Sequence, residues 1–276
     1  NEFQIKDNGQ GTIGQGAFGK AKLTTYKGKK AVVKYINNPG ASNATLATCQ
    51  IYRDNAKKEG EIMKLFNSLY IAKIYAIEGH AIYMKYYDGG SLRSQIDKDG
   101  ADRGRFYIAW QICTGLKEIH RINYVHSDLK ASNILVEKYI DGKLSCFISD
   151  FGVSRERGTW PIACTKWFRP ANFFKKPLCF EDDIFSLGKL FLELFGKFKD
   201  YEMWKINYDN FQYLVSKEIF SDNYNEESEN NITTNILLEN DASFKFYDLV
   251  HEMINEDSSK RPSLDKILTL LDIINY

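Results

Sequence analysis

Residues 124–136, Tyr-Val-His-Ser-Asp-Leu-Lys-Ala-Ser-Asn-Ile-Leu-Val, constrain this chain more than any other stretch. Two short β-prone runs bracket a polar loop. That loop carries Asp128, then Lys130, then Asn133. A loop pinned between two strands can aim a carboxylate, a cation and an amide at one point, so the fold must build a rigid frame around it.

Five other segments fall in a fixed order about this loop. Gly11 to Ala21 contains G-x-G-x-x-G at Gly14, Gly16 and Gly19. The glycines alone would also suit an ordinary hairpin. The residues after them read strand, turn at Lys27-Gly28-Lys29, strand, and not the helix that a dinucleotide-binding glycine motif opens. The second strand ends Ala31-Val32-Val33-Lys34. After a loop at Asn37–Asn43, a helix is predicted over roughly Leu46–Phe66, carrying Glu59 and Glu61. Gly60 within it weakens the helix by about 1 kcal/mol relative to alanine. Two more strands, Ala72–Ile77 and Ala81–Tyr87, precede Asp88-Gly89-Gly90-Ser91-Leu92. Past the central loop comes Ser149-Asp150-Phe151-Gly152.

The rest is mostly helical. Arg103–Ile122 carries a wide apolar stripe (Phe106, Ile108, Ala109, Ile112, Cys113, Leu116, Ile119, His120) and should be buried. Ile184, Leu187, Leu190, Phe191 and Leu194 repeat at helical spacing on a helix that begins near Glu181. Phe244–Ile254 and Ser263–Ile274 read as closing amphipathic helices. Asp222–Thr234, rich in Asn, Glu and Ser, reads as a long surface loop. The 276 residues, 43% hydrophobic, suffice for a large core, and no second domain or repeat is visible. The net charge of +1 argues against nucleic acid as a partner. No apolar run reaches membrane-spanning length. Five scattered cysteines without C-x-x-C spacing fit a reducing compartment, and four histidines without ligand spacing give no structural zinc. The chain begins with Asn1 and not Met, as an excised domain would.

In this order the motifs resemble those of the eukaryotic-type protein kinase family. The likeness runs from Gly11 to about Leu271. It implies an α+β, bilobal kinase fold over 1–276. A small β-sheet-plus-helix N-lobe (about 1–87) would sit over a larger helical C-lobe (about 88–276). It implies ATP with Mg²⁺, or alternatively Mn²⁺, and a protein substrate. A regulatory protein partner is compatible with it. Asp128 would orient the acceptor hydroxyl and take its proton, Lys130 would face the transferred phosphate, and Asn133 and Asp150 would hold metal. Lys34, fixed by Glu59, would hold the α- and β-phosphates. Ile13, Gly14, Gly16, Gly19, Ala21, Val32, Lys34, Met84, Lys85, Tyr87 and Leu135 would surround the nucleotide, with Met84 as gatekeeper and Lys85 to Tyr87 bonding adenine through their backbones. Phe151 would pack toward Met63 and His126. Thr165 would bridge Asp128 and Lys130, and Asp183 would brace the catalytic loop. Lys130 in Asp-Leu-Lys-x-x-Asn is similar to serine/threonine kinases.

Four departures stand out. Val32 replaces the usual alanine and narrows the adenine site. Gly60 beside Glu59 is expected to make the helix position depend on a partner. Ser127 replaces the arginine that normally reads an activation-loop phosphate, a non-RD loop, so activity is expected without loop phosphorylation. Pro170-Ala171-Asn172 replaces Ala-Pro-Glu, and Asn172 is expected to hydrogen-bond Arg261. Asp182 is expected to be only a helix N-terminal charge. Ser154, Thr159 and Thr165 are candidate modification sites, although hydroxyls of such a loop usually just face solvent. The basic residues Arg155, Arg157, Lys166 and Arg169 suit acidic sequence around the acceptor. The alternative is a pseudokinase or weakly active kinase acting as a nucleotide-binding scaffold. Richness in Asn, Ile and Lys resembles a diverged eukaryotic-like kinase of a pathogen. The expected location is cytoplasmic, in the host cytoplasm if the protein is a secreted effector.

Overall fold

The structure is a computed structural model and describes residues 11–16, 19–36, 46–96, 104–196, 245–246 and 248–275. The segments 37–43 and 222–234, and Ala17 and Phe18 of the glycine hairpin, lie outside the described residues.

The first part of the chain folds as an antiparallel five-stranded sheet. Its strands are β1 (Thr12–Gly16), β2 (Gly19–Tyr26), β3 (Lys29–Ile36), β4 (Ile74–Glu78) and β5 (Ala81–Lys85), in the spatial order β1-β2-β3-β5-β4. Gly14 pairs with Ala21 and Gly16 with Gly19, so the glycines lie in a hairpin that runs straight into β2. A Cβ on Gly19 would run into the Tyr35 carbonyl oxygen, so the hairpin requires glycine there. Helix α1 (Leu46–Lys64) packs on the sheet against β3, β4 and β5. The sheet is not bare on its other side: Tyr26 stacks on Tyr75 and packs at a tilt on Tyr83, around buried Val33 and Ala81.

Helices dominate beyond β5. They are α2 (Leu92–Ile96), α3 (Arg105–Arg121), α4 (Phe180–Gly196), a stretch at 245–246 and 248–253, and α5 (Leu264–Asn275). Short strands hold the loops between them. β6 (Gly90–Ser91), β8 (Ile134–Lys138) and β9 (Leu144–Ile148) form one small sheet, and β7 (Tyr124–Val125) pairs with β10 (Arg155–Glu156). The predicted stripe on α3 is buried from Phe106 through Ile119. His120, at its end, is not core but reaches Asp183. All five periodic residues of α4 are buried. A parallel bridge joins the two halves: Ala72 N–H donates to Ile148 O at 2.9 Å, and Ile148 N–H to Tyr70 O at 2.8 Å. One apolar core runs through it, from Val32, Met63 and Met84 above to Leu116, Leu190 and Phe246 below. The architecture is mixed α+β and bilobal.

Gly60 differs from expectation. A Cβ there would lie 2.5 Å from both Ile77 Cγ1 and Cδ1. The glycine lets α1 close onto β4, so it seats the helix through internal packing. Predicted strand ends shift by a few residues: β5 stops at Lys85, the last residue paired with β3, and beyond it the Tyr87 hydroxyl accepts the Lys73 N–H at 2.9 Å.

Candidate active site

The loop after β7 is fixed from beneath by a fully buried carboxylate. Asp183, in the first turn of α4, accepts the backbone N–H of His126 at 2.8 Å and of Ser127 at 2.9 Å. His120 Nε2 approaches the same carboxylate at 3.0 Å. These bonds hold Ser127 in a left-handed conformation, φ 70°, which costs a non-glycine residue on the order of 1 kcal/mol. His126 Nδ1 accepts the Asp128 N–H at 3.3 Å, so its Nε2 carries the proton and donates to Ser149 O at 3.0 Å. The loop is thereby tied to the segment leading into Asp150.

Asp128 is buried, yet each oxygen has a donor. Oδ1 accepts Thr165 N–H at 2.8 Å, and Oδ2 accepts Lys130 Nζ at 2.7 Å and Asn133 Nδ2 at 3.1 Å. Lys130 Nζ also reaches Thr165 Oγ1 at 2.7 Å. Asn133 donates a second time, to Asp128 O at 2.8 Å. Its amide nitrogen is therefore committed, and its Oδ1 is the acceptor left for a hard cation.

The second cluster forms across the lobes. Lys34 Nζ lies 2.7 Å from Glu59 Oε1 and 2.7 Å from Asp150 Oδ1. β3 supplies the lysine, α1 the first carboxylate and the segment after β9 the second. Burial disfavours the Lys34 ammonium, but the two carboxylates outweigh it and hold the amine above its ordinary range. Burial opposes ionisation of Asp150 as well. The charge and hydrogen bond of Lys34 prevail and keep its carboxyl below the usual value. Glu59, fully buried, is instead pushed up by desolvation that Lys34 only partly offsets. Asp150 itself has φ 66°. Phe151, fully buried, packs edge-on to His126 at 5.1 Å and against Phe66 at 5.5 Å. Phe66 lies just past α1 and carried no periodic signal that would have named it.

Around the expected adenine site, Val32 faces Met84 in the β3–β5 register and both are buried. Leu135 and Phe147 pair across β8 and β9, and Tyr87 packs on Phe147 at 4.5 Å. Ala21 lies opposite Lys34. Ile13 is 52% exposed on β1. Lys85 N–H is spent on Lys73 O at 2.9 Å, and Tyr87 O accepts Gly90 N–H at 3.3 Å. The Lys85 side chain pairs with Glu137 of β8 at 2.8 Å, 52 residues on in the sequence. Among the described residues no group of three or more His, Cys, Asp or Glu side chains could hold a metal alone. Asn133 and Asp150 offer an amide oxygen and a carboxylate, an oxygen donor set that would suit a hard divalent cation.

Three expectations are corrected. Arg261 does not pair with Asn172. Its guanidinium donates to Asn255 O at 2.8 Å, Glu181 O at 2.7 Å and Glu256 O at 3.2 Å, and lies 3.7 Å from Asp182 Oδ1. Asn172 Oδ1 is buried with no hydrogen-bond partner. A neutral amide does not compete with a carboxylate for a buried cation. Asp182 is consequently more than a helix-end charge: it is buried and also binds Lys176 at 2.7 Å. Ser154 does not face solvent, for it is fully buried and donates to His126 O at 3.0 Å. Three of the four loop cations are engaged at home: Arg155 on Ser154 O, Arg157 on the Phe180 ring and Arg169 on the Phe174 ring.

Comparison with known proteins agrees with this geometry. The family model described as "Protein kinase domain" matches residues 8–270. Tyrosine-protein kinase SYK of Gallus gallus is 28% identical over 210 residues, which cover 68% of this chain and 32% of that protein. The chain thus spans about a third of the length of this curated relative. No helix among the described residues is long and apolar enough to cross a membrane. The family model covers nearly the whole chain, and Lys34 with its partners Glu59 and Asp150 stands assembled beside the braced loop that carries Asp128, so this chain belongs to the protein kinase family.

Proposed function

We propose that the chain is an ATP- and Mg²⁺-dependent kinase that phosphorylates serine or threonine hydroxyls of a protein, without requiring a phosphate on its activation loop. The observation that carries the acceptor class is Lys130 Nζ, 2.7 Å from both Asp128 Oδ2 and Thr165 Oγ1. This bridge sets a cation and a hydroxyl at the Asp128 carboxylate, which supports a short hydroxyl as the acceptor. The relative whose name specifies tyrosine is similar at only 28% identity, which leaves acceptor choice to the local residues.

The nucleotide with its metal supplies an activated γ-phosphoryl group. Asp128, held by Thr165 and Asn133, orients the acceptor hydroxyl and receives its proton. Lys130 stabilises negative charge on the acceptor side. Lys34, its direction fixed by Glu59, would hold the α- and β-phosphates of the departing ADP, and Asn133 Oδ1 and Asp150 would hold the metal. Positioning and charge complementarity do most of the work in such a transfer.

Independence from loop phosphate is supported by how the segment is seated. Backbone bonds clamp it: Arg157 N–H to Asn123 O at 2.9 Å, Gly158 N–H to Leu178 O at 2.9 Å, and Leu178 N–H to Thr159 O at 2.8 Å. The β7–β10 pair adds to these. Phosphoamino-acid analysis of a mixed Ser/Thr/Tyr peptide library, with Asp128→Ala as control, tests the acceptor class. Phosphoserine or phosphothreonine is expected; predominant phosphotyrosine would refute it.

A further inference from the structure

The cations of the activation segment are mostly turned inward, on Ser154 O and on the Phe180 and Phe174 rings, and Lys166 alone of the four stands exposed without such a contact. What the segment presents to solvent is apolar. Trp160 is 61% exposed and Ile162 55%. Large apolar side chains scattered singly on a surface are ordinary. These two stand at i and i+2, three residues from the Thr165 whose N–H donates to Asp128 Oδ1 at 2.8 Å. Pro161 between them disfavours a helical Trp160, and in extended chain side chains two apart face the same way.

Neither side chain lies far from the acceptor. Three residues of chain separate Ile162 from Thr165 and five separate Trp160, spans of at most about 10 and 17 Å. An extended peptide advances about 3.3 Å per residue, so roughly three to five positions beside the acceptor fall within that reach. The pair also sits on a fixed support. Before it, Leu178 N–H donates to Thr159 O at 2.8 Å. After it, Cys164 packs on the buried cluster of Val125, Phe173 and Leu178. Little ordering is left to oppose binding.

We propose that Trp160 and Ile162 are specificity-determining residues that select a large apolar side chain within about five positions of the acceptor in the protein substrate. The proposal rests on the proposed kinase function and names its substrate class: a hydroxyl flanked by apolar sequence, and not by acidic sequence drawn to Lys166.

The test gives wild type, Trp160→Ala and Ile162→Ser a peptide library centred on serine and threonine, with every flanking position varied. Both side chains are exposed, so neither substitution opens the core. Wild type should enrich Leu, Ile, Met or Phe at one or more flanking positions. Trp160→Ala should cut that preference about tenfold, through KM for the peptide. Enrichment of Asp or Glu, no enrichment by an active enzyme, or a preference unchanged in both variants overturns the proposal. A second readout needs no turnover. Trp160 emission, taken as the difference from Trp160→Phe, should shift on titration with an apolar-flanked peptide carrying alanine in place of the acceptor, and not with its glycine-flanked counterpart. No shift overturns the proposal even if wild type transfers no phosphate, a result that would count separately against the kinase function.

Discussion

Ile77 fills the space that a side chain at position 60 would need, with its Cγ1 and Cδ1 2.5 Å from the Cβ a residue there would carry. The absent side chain lets α1 approach β4, and the next residue back, Glu59, then reaches Lys34 at 2.7 Å. Helix propensity alone would favour Gly60→Ala by about 1 kcal/mol. Overpacking should reverse that, at a cost of roughly 1–3 kcal/mol. The variant should lose activity as α1 shifts outward. Adding Ile77→Ala should recover activity, as read by phosphate transfer at saturating ATP. A Gly60→Ala protein as active as wild type would show that the contact does not set the helix position.

Asp182, and not Asn172, is the anchor of Arg261. Asp182→Ala leaves buried Arg261 and half-buried Lys176 without their carboxylate, and should destabilise the fold by about 3–5 kcal/mol. Asn172→Ala removes a buried acceptor that has no partner and should be near neutral. Urea midpoints of the two variants give the comparison, and the reverse ranking would be incompatible with the observed bonding.

The Lys189 amine sets a pH signature. Its value falls from 10.5 to about 8 on folding. Between those values the unfolded chain binds more protons, so the lysine's contribution to stability rises with pH across the window and is flat below it. The stability of wild type relative to Lys189→Met should therefore be constant below pH 8 and rise from there toward pH 10.5. Melting curves of both proteins from pH 6 to 10 check the sign; a constant difference would exclude it.

Loop phosphorylation should be dispensable. Protein treated with a broad phosphatase should keep its rate within about twofold, because backbone bonds and not a phosphate seat the segment. Loss of activity, restored by rephosphorylation of the loop, would contradict this.

Much of the site was legible because its chemistry is written in short spacings. Asp128, Lys130 and Asn133 lie within one loop, and their contacts repeat the order of the residues. The Lys34–Glu59–Asp150 cluster required a family likeness, since it joins segments 25 and 116 residues apart. Where that likeness was followed too literally, at Asn172, tertiary placement decided otherwise: Asp182 lay nearer the guanidinium. Gly60 looked like a weak point because propensity sees only the helix, not Ile77. Phe66 and Glu137 gave no signal, because each acts through a neighbour distant in sequence.

The most direct measurement is γ-phosphate transfer from Mg²⁺-ATP to a protein acceptor by wild type, Asp128→Ala and Asp150→Ala. Wild type should label the acceptor, and each variant should fall by a factor of about a hundred or more. Equal signals from all three proteins would contradict a catalytic site built on these residues and leave the chain a nucleotide-binding scaffold.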